Sequence, residues 1–312
     1  MEAGRGSADR GNARQLAELT SRWRQDLAAW AIPERILAGV TESPWVLPIQ
    51  VFARRADKLT AKPAGRSFER EWAALDPPGT VLDVGSGAGA ASLPLAPRTT
   101  ELIAVDSSQQ MLDLFSERAA ARGLPVKAVC GNWPESGDDV PAADLVTCHH
   151  VLYNVPDVEL FLRALTKHAR RLVVIEIAVT HPLSSLNDLW LRFHGVARPQ
   201  RPTSDDALAI LAAMGIGFGA ERWRRGEGPD YPTMAELVDV TRRRLCLPPD
   251  RAEDVAAALI DSGVDPAHPQ DLGSSGSDVV TIWWNGSAQE SGQDGPAVLA
   301  TEASCCRDDE FG

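Results

Sequence analysis

The sequence predicts an α/β protein built on a Rossmann-like, doubly wound and mostly parallel seven-stranded sheet with helices on both faces. Two observations carry this prediction. Between residues 80 and 178, short apolar runs alternate with segments of helical periodicity, an order that crossover connections between parallel strands produce. The runs are continuously apolar, which is typical of strands that are covered on both faces. An N-terminal helical cap and a helical insertion are expected around this core.

Composition limits the classes of function. Of the 312 residues, 44% are hydrophobic, enough for a sizeable core, and the net charge of -12 argues against a broad nucleic-acid surface. The five cysteines show neither a CxxC pair nor a metal-ligand spacing with histidine. We therefore expect no bound metal, reduced thiols and a cytoplasmic location. No apolar run approaches the ~20 residues of a membrane span, and the N-terminus lacks the apolar stretch of a signal peptide.

The N-terminal part is interpreted as a tail followed by a cap. Residues 1–12 lack periodicity and are expected to be disordered, whereas residues 13–76 are expected to form a helical cap or lid. Apolar residues recur there at spacings of three and four, which predicts an amphipathic helix that Pro33 then interrupts. This apolar stripe consists of Leu16, Leu19, Trp23, Leu27 and Trp30.

The core is expected to span residues 77–180. Helices are predicted after its first, second and fourth strands, at 88–96, 108–123 and 157–169. The strands are predicted at 80–85, 101–106, 126–131, 143–150 and 171–178. Parallel strands connected in this way end at one edge of the sheet, where ligands bind in such folds.

Residues 181–286 are expected to supply lid helices, an insertion and the final strands of the sheet. Thr203, with Asp206 three residues later, predicts a capping box at the start of one helix. The helices are predicted at 181–195, 203–215, 233–247 and 250–263, and the strands at 218–223 and 279–284. The polar segment 287–312 is predicted to be a disordered tail.

The stretch "VLDVGSGAGAAS" raises the question of its ligand. Gly85, Gly87 and Gly89 follow a predicted strand and would bring backbone amides close to a ligand. Asp83, two residues before the first glycine, would repel a pyrophosphate at this position and suits a ligand with a positive charge. A nicotinamide dinucleotide is therefore disfavoured.

Asp106 ends the next predicted strand. A carboxylate at this place can accept hydrogen bonds from both ribose hydroxyls. The site therefore suits a ligand with a ribose, a cation and a ring of adenine size, without need of a phosphate. S-adenosylmethionine has these parts.

With these residues the sequence resembles the class I S-adenosylmethionine-dependent methyltransferases, close to their small-molecule branch, over residues 78–180. "VLDVGSGAG" matches the first motif of that family and "AVDSSQQML" its acidic loop, while "GNWPE" and "HHVLYNVPD" stand at its later motifs. The resemblance implies S-adenosylmethionine as the cofactor, with Met111 and Trp133 against the adenine. Asn132, where the family often has aspartate, is implied to meet the adenine amino group. The residues implied to bind the cofactor are Asp83, Gly85, Ser86, Gly87, Gly89, Asp106, Ser107, Met111, Asn132, Trp133 and His149.

His149 and His150 end the fourth predicted strand beside this site, and either imidazole could act as the base for a methyl acceptor. His150 is the preferred candidate because it lies one residue nearer the rim. The alternative is that these rings hold the cofactor or pack in the core. The residues expected to contact the acceptor are Trp45, Tyr153, Asn154, Glu176, Trp190 and His194.

The preferred function is transfer of a methyl group to an O or N atom of a small molecule, a natural product or metabolite. Methylation of RNA or protein is one alternative, and a non-catalytic scaffold that binds S-adenosylmethionine is another. The expected partner is the small-molecule acceptor, with neither a membrane nor a nucleic acid. A homodimer is left open.

Overall fold

The computed structural model describes residues 2–40, 42–45, 48–226, 231–270, 272–273 and 277–287, with side chains from residue 11 onwards. The strands are β1 (Gly79–Val84), β2 (Thr99–Asp106), β3 (Val126–Cys130), β4 (Ala143–His149), β5 (Ala169–Ala178), β6 (Phe218–Arg224) and β7 (Asp278–Asn285). The helices are α1 (Glu2–Ala28), α2 (Glu34–Leu37), α3 (Ile49–Ala61), α4 (Arg66–Ala74), α5 (Gln109–Ala120), α6 (Val158–His168), α7 (Asn187–His194), α8 (Ser204–Ala213), α9 (Met234–Arg244) and α10 (Ala252–Asp261). None of these described helices combines the length and the apolar composition needed to cross a bilayer.

A seven-stranded sheet in the order β3-β2-β1-β4-β5-β7-β6 forms the centre of the described chain. The strands β1 to β5 pair in parallel, whereas β7 runs antiparallel between β5 and β6. The predicted mostly parallel seven-stranded sheet is therefore confirmed. The chain moves outward from β1 to β3 and then returns to β4, so the strand order reverses between β1 and β4. In open α/β sheets the crevice at such a reversal, beyond the carboxyl ends of the strands, binds ligands.

The segment after β1 differs from the helix predicted at 88–96. The chain passes through turns and then forms a short 3-10 helix, Leu93–Arg98. Pro94 and Pro97 explain the difference, because proline has no N–H for a helical hydrogen bond and its ring clashes with the preceding turn. The glycine stretch therefore leads into a compact turn and not directly into an α-helix.

The N-terminal helix is longer than the sequence predicts, because α1 begins at Glu2, inside the 1–12 segment that is expected to be disordered. Once part of a helix has formed, each further residue adds a hydrogen bond at small entropic cost, so the helix can extend into a segment without an apolar face. At the other end, all but the first residue of the predicted tail 287–312, including Cys305 and Cys306, lies outside the described residues.

The N-terminal cap is fixed to the rest of the protein by two tryptophans of α1 and the turn after it. The indole of Trp23 is buried and donates to the carbonyl of Val155 at 2.8 Å. The indole of Trp30 is also buried and donates to the carbonyl of Arg201 at 2.7 Å. Truncating a buried tryptophan costs about 3–5 kcal/mol, so these rings hold the cap firmly against the core.

The described helices α7, α9 and α10 pack around a second hydrophobic cluster, which also includes Ile32 and Val51 of the N-terminal segment. Trp190 of α7 is buried there together with Leu237 of α9 and Val255 of α10. The predicted capping box at the start of α8 is confirmed, because the N–H of Thr203 donates to Asp206 Oδ2 at 2.8 Å. The buried residues of the second cluster belong to no strand of the sheet.

Candidate active site

The carboxyl end of β1 continues into a tight turn in which three glycines take positive φ angles, 72° at Gly85, 51° at Gly87 and 92° at Gly89. A Cβ at Gly85 would lie 2.2 Å from a methyl carbon of Val151, and one at Gly89 would lie 2.4 Å from Leu93. These two positions therefore require glycine. At Gly87, no heavy atom of the described residues lies within 4 Å of the place of a Cβ. The Gly87 backbone thus faces open space in which a ligand can lie against it.

Asp106, at the end of β2, holds this turn in place. Its Oδ2 accepts the N–H of Gly87 at 2.8 Å, and its Oδ1 accepts the N–H of Ser108 at 2.9 Å. Next to it, Ser107 is exposed and Met111 is buried in the first turn of α5. Each carboxylate oxygen retains a further lone pair, so hydroxyl donors of a ligand can also bind to Asp106.

Asp83 is enclosed at the base of the turn, where its Oδ2 accepts the hydroxyl of Ser92 at 2.6 Å. Burial raises the pKa of Asp83 to about 7, although the Ser92 hydrogen bond acts in the opposite direction. The carboxylate is therefore only partly ionised at neutral pH. The predicted contact between Asp83 and the cation of the cofactor gains no support from this geometry, because a fully buried side chain bonded to Ser92 stabilises the turn itself.

The open side of the turn fits a nucleoside. The Ser86 hydroxyl is buried and has no hydrogen-bond partner among the described residues. Buried hydroxyls in folded proteins are almost always paired, so this atom requires a partner beyond the described residues, such as a bound ligand. Ser86 Oγ, the open space at Gly87 and the carboxylate of Asp106 together match the hydroxyl and amine groups of S-adenosylmethionine.

The two residues expected at the adenine have different environments. Asn132 is exposed just after β3. Trp133 is buried, and its ring packs edge-on against His168 of α6 with 4.7 Å between the ring centroids. The indole N–H of Trp133 is buried and has no hydrogen-bond partner among the described residues. The contact of Trp133 with adenine stays a prediction.

His149, the last residue of β4, forms a buried ion pair with Glu71 of α4. The imidazole Nε2 donates to Glu71 Oε1 at 2.8 Å, and the hydroxyl of Thr147 donates to the same oxygen. Burial alone would lower the pKa of His149, but the carboxylates of Glu71 and Glu176 outweigh it and raise the pKa to about 9. His149 is therefore an imidazolium at neutral pH. The other oxygen, Glu71 Oε2, is buried and has no hydrogen-bond partner among the described residues.

His150 has the opposite protonation state. Its Nε2 lies 3.0 Å from Glu176 Oε1 and also contacts the guanidinium of Arg225. Burial, followed by the charge of Arg225, lowers the pKa of His150 to about 4. Because arginine can only donate, the neutral ring accepts the Arg225 hydrogen bond at Nε2. Burial alone would raise the pKa of Glu176, but the charge of Arg225 outweighs it and holds the pKa well below its ordinary range.

A cavity of about 910 Å³ opens beside these pairs. On one side it is bounded by α3 and α4, and on the other by the residues that follow β6. His149 and Glu176, neighbours in register on β4 and β5, lie at the strand ends that line it. The turn after Gly89 contributes three further lining residues, Ala90, Ala91 and Pro94. The cavity therefore reaches from the residues that follow the glycine turn to the two strand ends, while Gly85, Gly87 and Asp106 are not among its lining residues.

The predicted acceptor residues are mostly outside this cavity. Glu176 lines it, whereas the others do not: Trp45, Tyr153, Asn154, Trp190 and His194. Tyr153 is buried and donates to the carbonyl of Ala178 at 2.7 Å, and Trp190 packs in the second hydrophobic cluster. Large aromatic rings on or near helices bury most area against neighbouring elements, so an aromatic cluster in the sequence is a poor indicator of a pocket wall. Of the two histidines, His149 lines the cavity and His150 does not.

Ser67 and Glu71 of α4 are site residues that the sequence motifs do not indicate. Both are buried, and Ser67 Oγ donates to Glu176 Oε2 at 2.6 Å. A local signal does exist, because two polar residues spaced four apart lie beside the apolar pair Phe68 and Trp72. The two polar residues therefore lie on one face of the helix, and that face packs on the sheet. The strand residues that it contacts cannot be read from the spacing.

Comparison with known proteins places the core in a family. Residues 81–172 match the family model described as a methyltransferase domain. A ubiquinone biosynthesis O-methyltransferase of Rhizobium etli is 31% identical over 174 residues, which is 49% of this chain and 70% of that protein. A protein with the same description from Rhizobium rhizogenes is 25% identical over 174 residues, with the same coverage of both chains.

Solved structures with related folds were also found. The YcgJ protein of Bacillus subtilis is 17% identical, with a TM-score of 0.46, and the match covers 75% of this chain and 98% of that one. Magnesium protoporphyrin IX methyltransferase of Synechocystis is 21% identical, with a TM-score of 0.42, over 57% of this chain and 78% of that one.

The matched family segment is the part of the chain that carries the glycine turn, Asp106 and the two histidines. The Rhizobium etli protein extends the likeness over more than two thirds of its own length. The chain therefore belongs to the class I S-adenosylmethionine-dependent methyltransferases, and S-adenosylmethionine is its cofactor.

Proposed function

We propose that this methyltransferase acts on a hydroxyl or amino group of a small molecule that binds in the cavity of about 910 Å³. The observation that carries the proposal is the continuity of the cavity from Ala90 and Ala91, after the glycine turn, to His149 and Glu176. Its volume is in the range of about 300–1,000 Å³ that is typical of small-molecule sites. When bound, the cofactor supplies a methyl group on a positively charged sulfur.

Glu71 is the group that we assign to the proton of the acceptor. Its Oε2 is buried and unpaired among the described residues, and Glu71 lines the cavity. With the cofactor bound, its methyl group would be the electrophile for the lone pair of the acceptor, with S-adenosylhomocysteine as the leaving group, and Glu71 Oε2 would accept the proton of the acceptor. His149, already protonated, stabilises the negative charge of Glu71 and fixes its position. The Nε2 lone pair of His150 is occupied by Arg225, which disfavours His150 as the base.

The test is turnover with radiolabelled S-adenosylmethionine on fractionated cell extract, followed by kinetics on the acceptor found. Glu71→Gln is expected to lower kcat by about 10²–10⁴-fold, the usual effect of general acid–base catalysis. The Kd of S-adenosylhomocysteine should change little, and Lys167→Ala, an exposed substitution outside the cavity, should change neither quantity. Near-native turnover of Glu71→Gln would overturn its assigned role. Failure of every fraction to accept methyl would favour the non-catalytic scaffold.

Methylation of RNA or protein is the weaker candidate. The net charge of -12 disfavours a broad nucleic-acid surface, and a bounded cavity suits a molecule that enters it whole. The cytoplasmic location and a homodimer remain predictions from the sequence. The free thiols of Cys130, Cys148 and Cys246 support the first of these.

A further inference from the structure

One face of α3 forms a wall of the cavity. The lining residues from this helix and its C-terminal cap recur at spacings of three and four, which is the repeat of a single helix face. They are Val51, Arg54, Arg55, Lys58, Leu59 and Lys62. Two of these side chains are apolar and the other four are basic. A helix face that packs against a protein core would show the opposite ratio, so this face is suited to a polar occupant.

Further basic residues line the cavity on the side of β6, where Arg224 ends the strand and Arg225 follows it. The acidic lining residues among the described part of the chain are Glu71 and Glu176, and both are already paired, Glu71 with His149 and Glu176 with Arg225. The cavity is therefore strongly basic, whereas the whole chain has a net charge of -12. A local sign opposite to that of the whole protein indicates a specific electrostatic role.

Some of these cations are neutralised within the protein and others are not. Arg54 pairs with Glu236, and Arg225 pairs with Glu176. In contrast, Lys58, Lys62 and Arg224 are exposed and form no ion pair with a residue that the structure describes.

Lys58 lies in the last turn of α3 and Lys62 is the C-terminal cap, so two like charges stand at the same end of the helix and repel each other. An anion bound between these side chains would relieve that repulsion. A cavity with low-dielectric walls also focuses the field of its charges, which strengthens the attraction for an anion that enters it.

We propose that the methyl acceptor is a small anionic molecule whose carboxylate, phosphate or sulfate group is held by Lys58, Lys62 and Arg224. The anionic group lies at the exposed side of the cavity, while the hydroxyl or amine to be methylated reaches Glu71 and His149 at the strand ends. This inference rests on the proposed function, because it names the class of acceptor for the same site. Lysine and arginine differ here in geometry, since arginine can bind an oxyanion with two hydrogen bonds and lysine acts as a point charge.

The experiment measures probe binding to the full chain, in the presence of S-adenosylhomocysteine, and requires no turnover. The probes are 4-hydroxybenzoate with its neutral analogue 4-hydroxybenzamide, and in separate arms phenyl phosphate and phenyl sulfate. Quenching of tryptophan fluorescence reports binding, because Trp223 lines the cavity. The variants are Lys58→Ala/Lys62→Ala and Arg224→Ala, with Lys167→Ala as a control that removes one exposed positive charge outside the cavity.

At least one anionic probe is expected to bind about tenfold more tightly than the neutral probe, the scale of two or three exposed charge pairs. This preference should weaken at high salt and be lost in the double lysine variant, whereas Lys167→Ala should retain it. The anionic probe that binds most tightly identifies whether the site prefers a carboxylate, a phosphate or a sulfate. The proposal would be overturned if charged and neutral probes bound equally, or if no probe bound at millimolar concentrations. It would also be overturned if Lys167→Ala lost the preference for the anionic probe as fully as the double lysine variant.

A single-stranded RNA oligonucleotide is included as a competitor. If it binds more tightly than every small anion and depends on the same lysines, the acceptor is a nucleic acid and the proposal fails. Absence of methyl transfer, in contrast, would refute the proposed function without changing the measured preference for anions. The two proposals can therefore fail separately.

Discussion

The imidazole of His149 donates to Glu71 Oε1 at 2.8 Å and so connects the end of β4 to the buried face of α4. The pair is well enclosed, with 16% of the His149 side chain and 1% of the Glu71 side chain exposed. Removing one member of a buried ion pair leaves the other charge uncompensated, which is strongly destabilising. The protonation of this pair therefore affects the stability of the fold as well as the chemistry of the cavity.

Glu71→Gln is expected to remove most of the pH dependence that His149 gives to stability. The pKa of His149 is about 9 in the folded protein against an ordinary value of 6.5. Its stabilising contribution is therefore complete below about pH 6.5 and is lost as the pH rises through about 9. Across this window the wild type should lose on the order of 3 kcal/mol more unfolding free energy than the variant. Denaturant unfolding at a series of pH values measures the difference, and parallel profiles of the two proteins would contradict it.

Asp83→Asn is expected to gain stability relative to the wild type as the pH rises. Burial raises the pKa of Asp83 to about 7, so the wild type is favoured while the carboxyl is protonated and loses this advantage as the pH rises towards 7. Between about pH 5 and about pH 8 the variant should gain about 2–3 kcal/mol relative to the wild type. The amide oxygen can still accept the hydroxyl of Ser92. Thermal unfolding of both proteins at the two pH values is the measurement, and a constant difference would show that Asp83 is ionised throughout.

Gly87→Ala is expected to weaken cofactor binding more than it weakens the fold. A residue other than glycine at a φ of 51° costs about 1–2 kcal/mol of strain, and the added methyl meets no described atom within 4 Å. The methyl would occupy the space beside the turn, so S-adenosylhomocysteine should bind about tenfold more weakly or worse. Gly123→Ala is the matched control, because Gly123 also has a positive φ, 68°, and open space at its Cβ. Calorimetry with both variants tests this, and equal affinities would place the cofactor away from Gly87.

Asp106→Asn is expected to lower the affinity for S-adenosylhomocysteine by about 10–100-fold, the scale of one lost hydrogen bond to a charged group. The amide has a single acceptor oxygen, so the N–H of Gly87 or that of Ser108 loses its partner and the turn loosens. Asp113→Asn, an exposed substitution on α5, serves as the control and should leave the Kd unchanged. If the two variants bound the cofactor equally well, Asp106 would have no part in the site.

The sheet and the glycine turn could be predicted because their causes are local. Continuous apolar runs indicate buried parallel strands, and glycines at alternate positions indicate a turn of unusual backbone conformation. The helix predicted after β1 is absent because two prolines outweigh the helical pattern of the neighbouring residues. The cause is local, because Pro94 and Pro97 stand in the sequence and each lacks the N–H of a helical hydrogen bond.

The chemistry at the strand ends could not be predicted in the same way. Glu71 and His149 are 78 positions apart, and nothing in the spacing of either segment indicates that they meet. The opposite protonation of His149 and His150 likewise depends on Glu71 and Arg225, which lie 154 positions apart in the sequence. Adjacent residues of the same type can therefore have different roles, because the groups around them and not their own identity determine their charge.

The basic wall on α3 lies outside residues 81–172, the part of the chain that the family model covers. Substitutions on that face of the helix leave the glycine turn and Asp106 unchanged. New acceptor preferences can thus evolve by changes to one helix while use of the cofactor stays constant. In laboratory evolution, a library randomised at Arg55, Lys58 and Lys62 would sample acceptors of different charge in variants that keep an intact methyl-donor site.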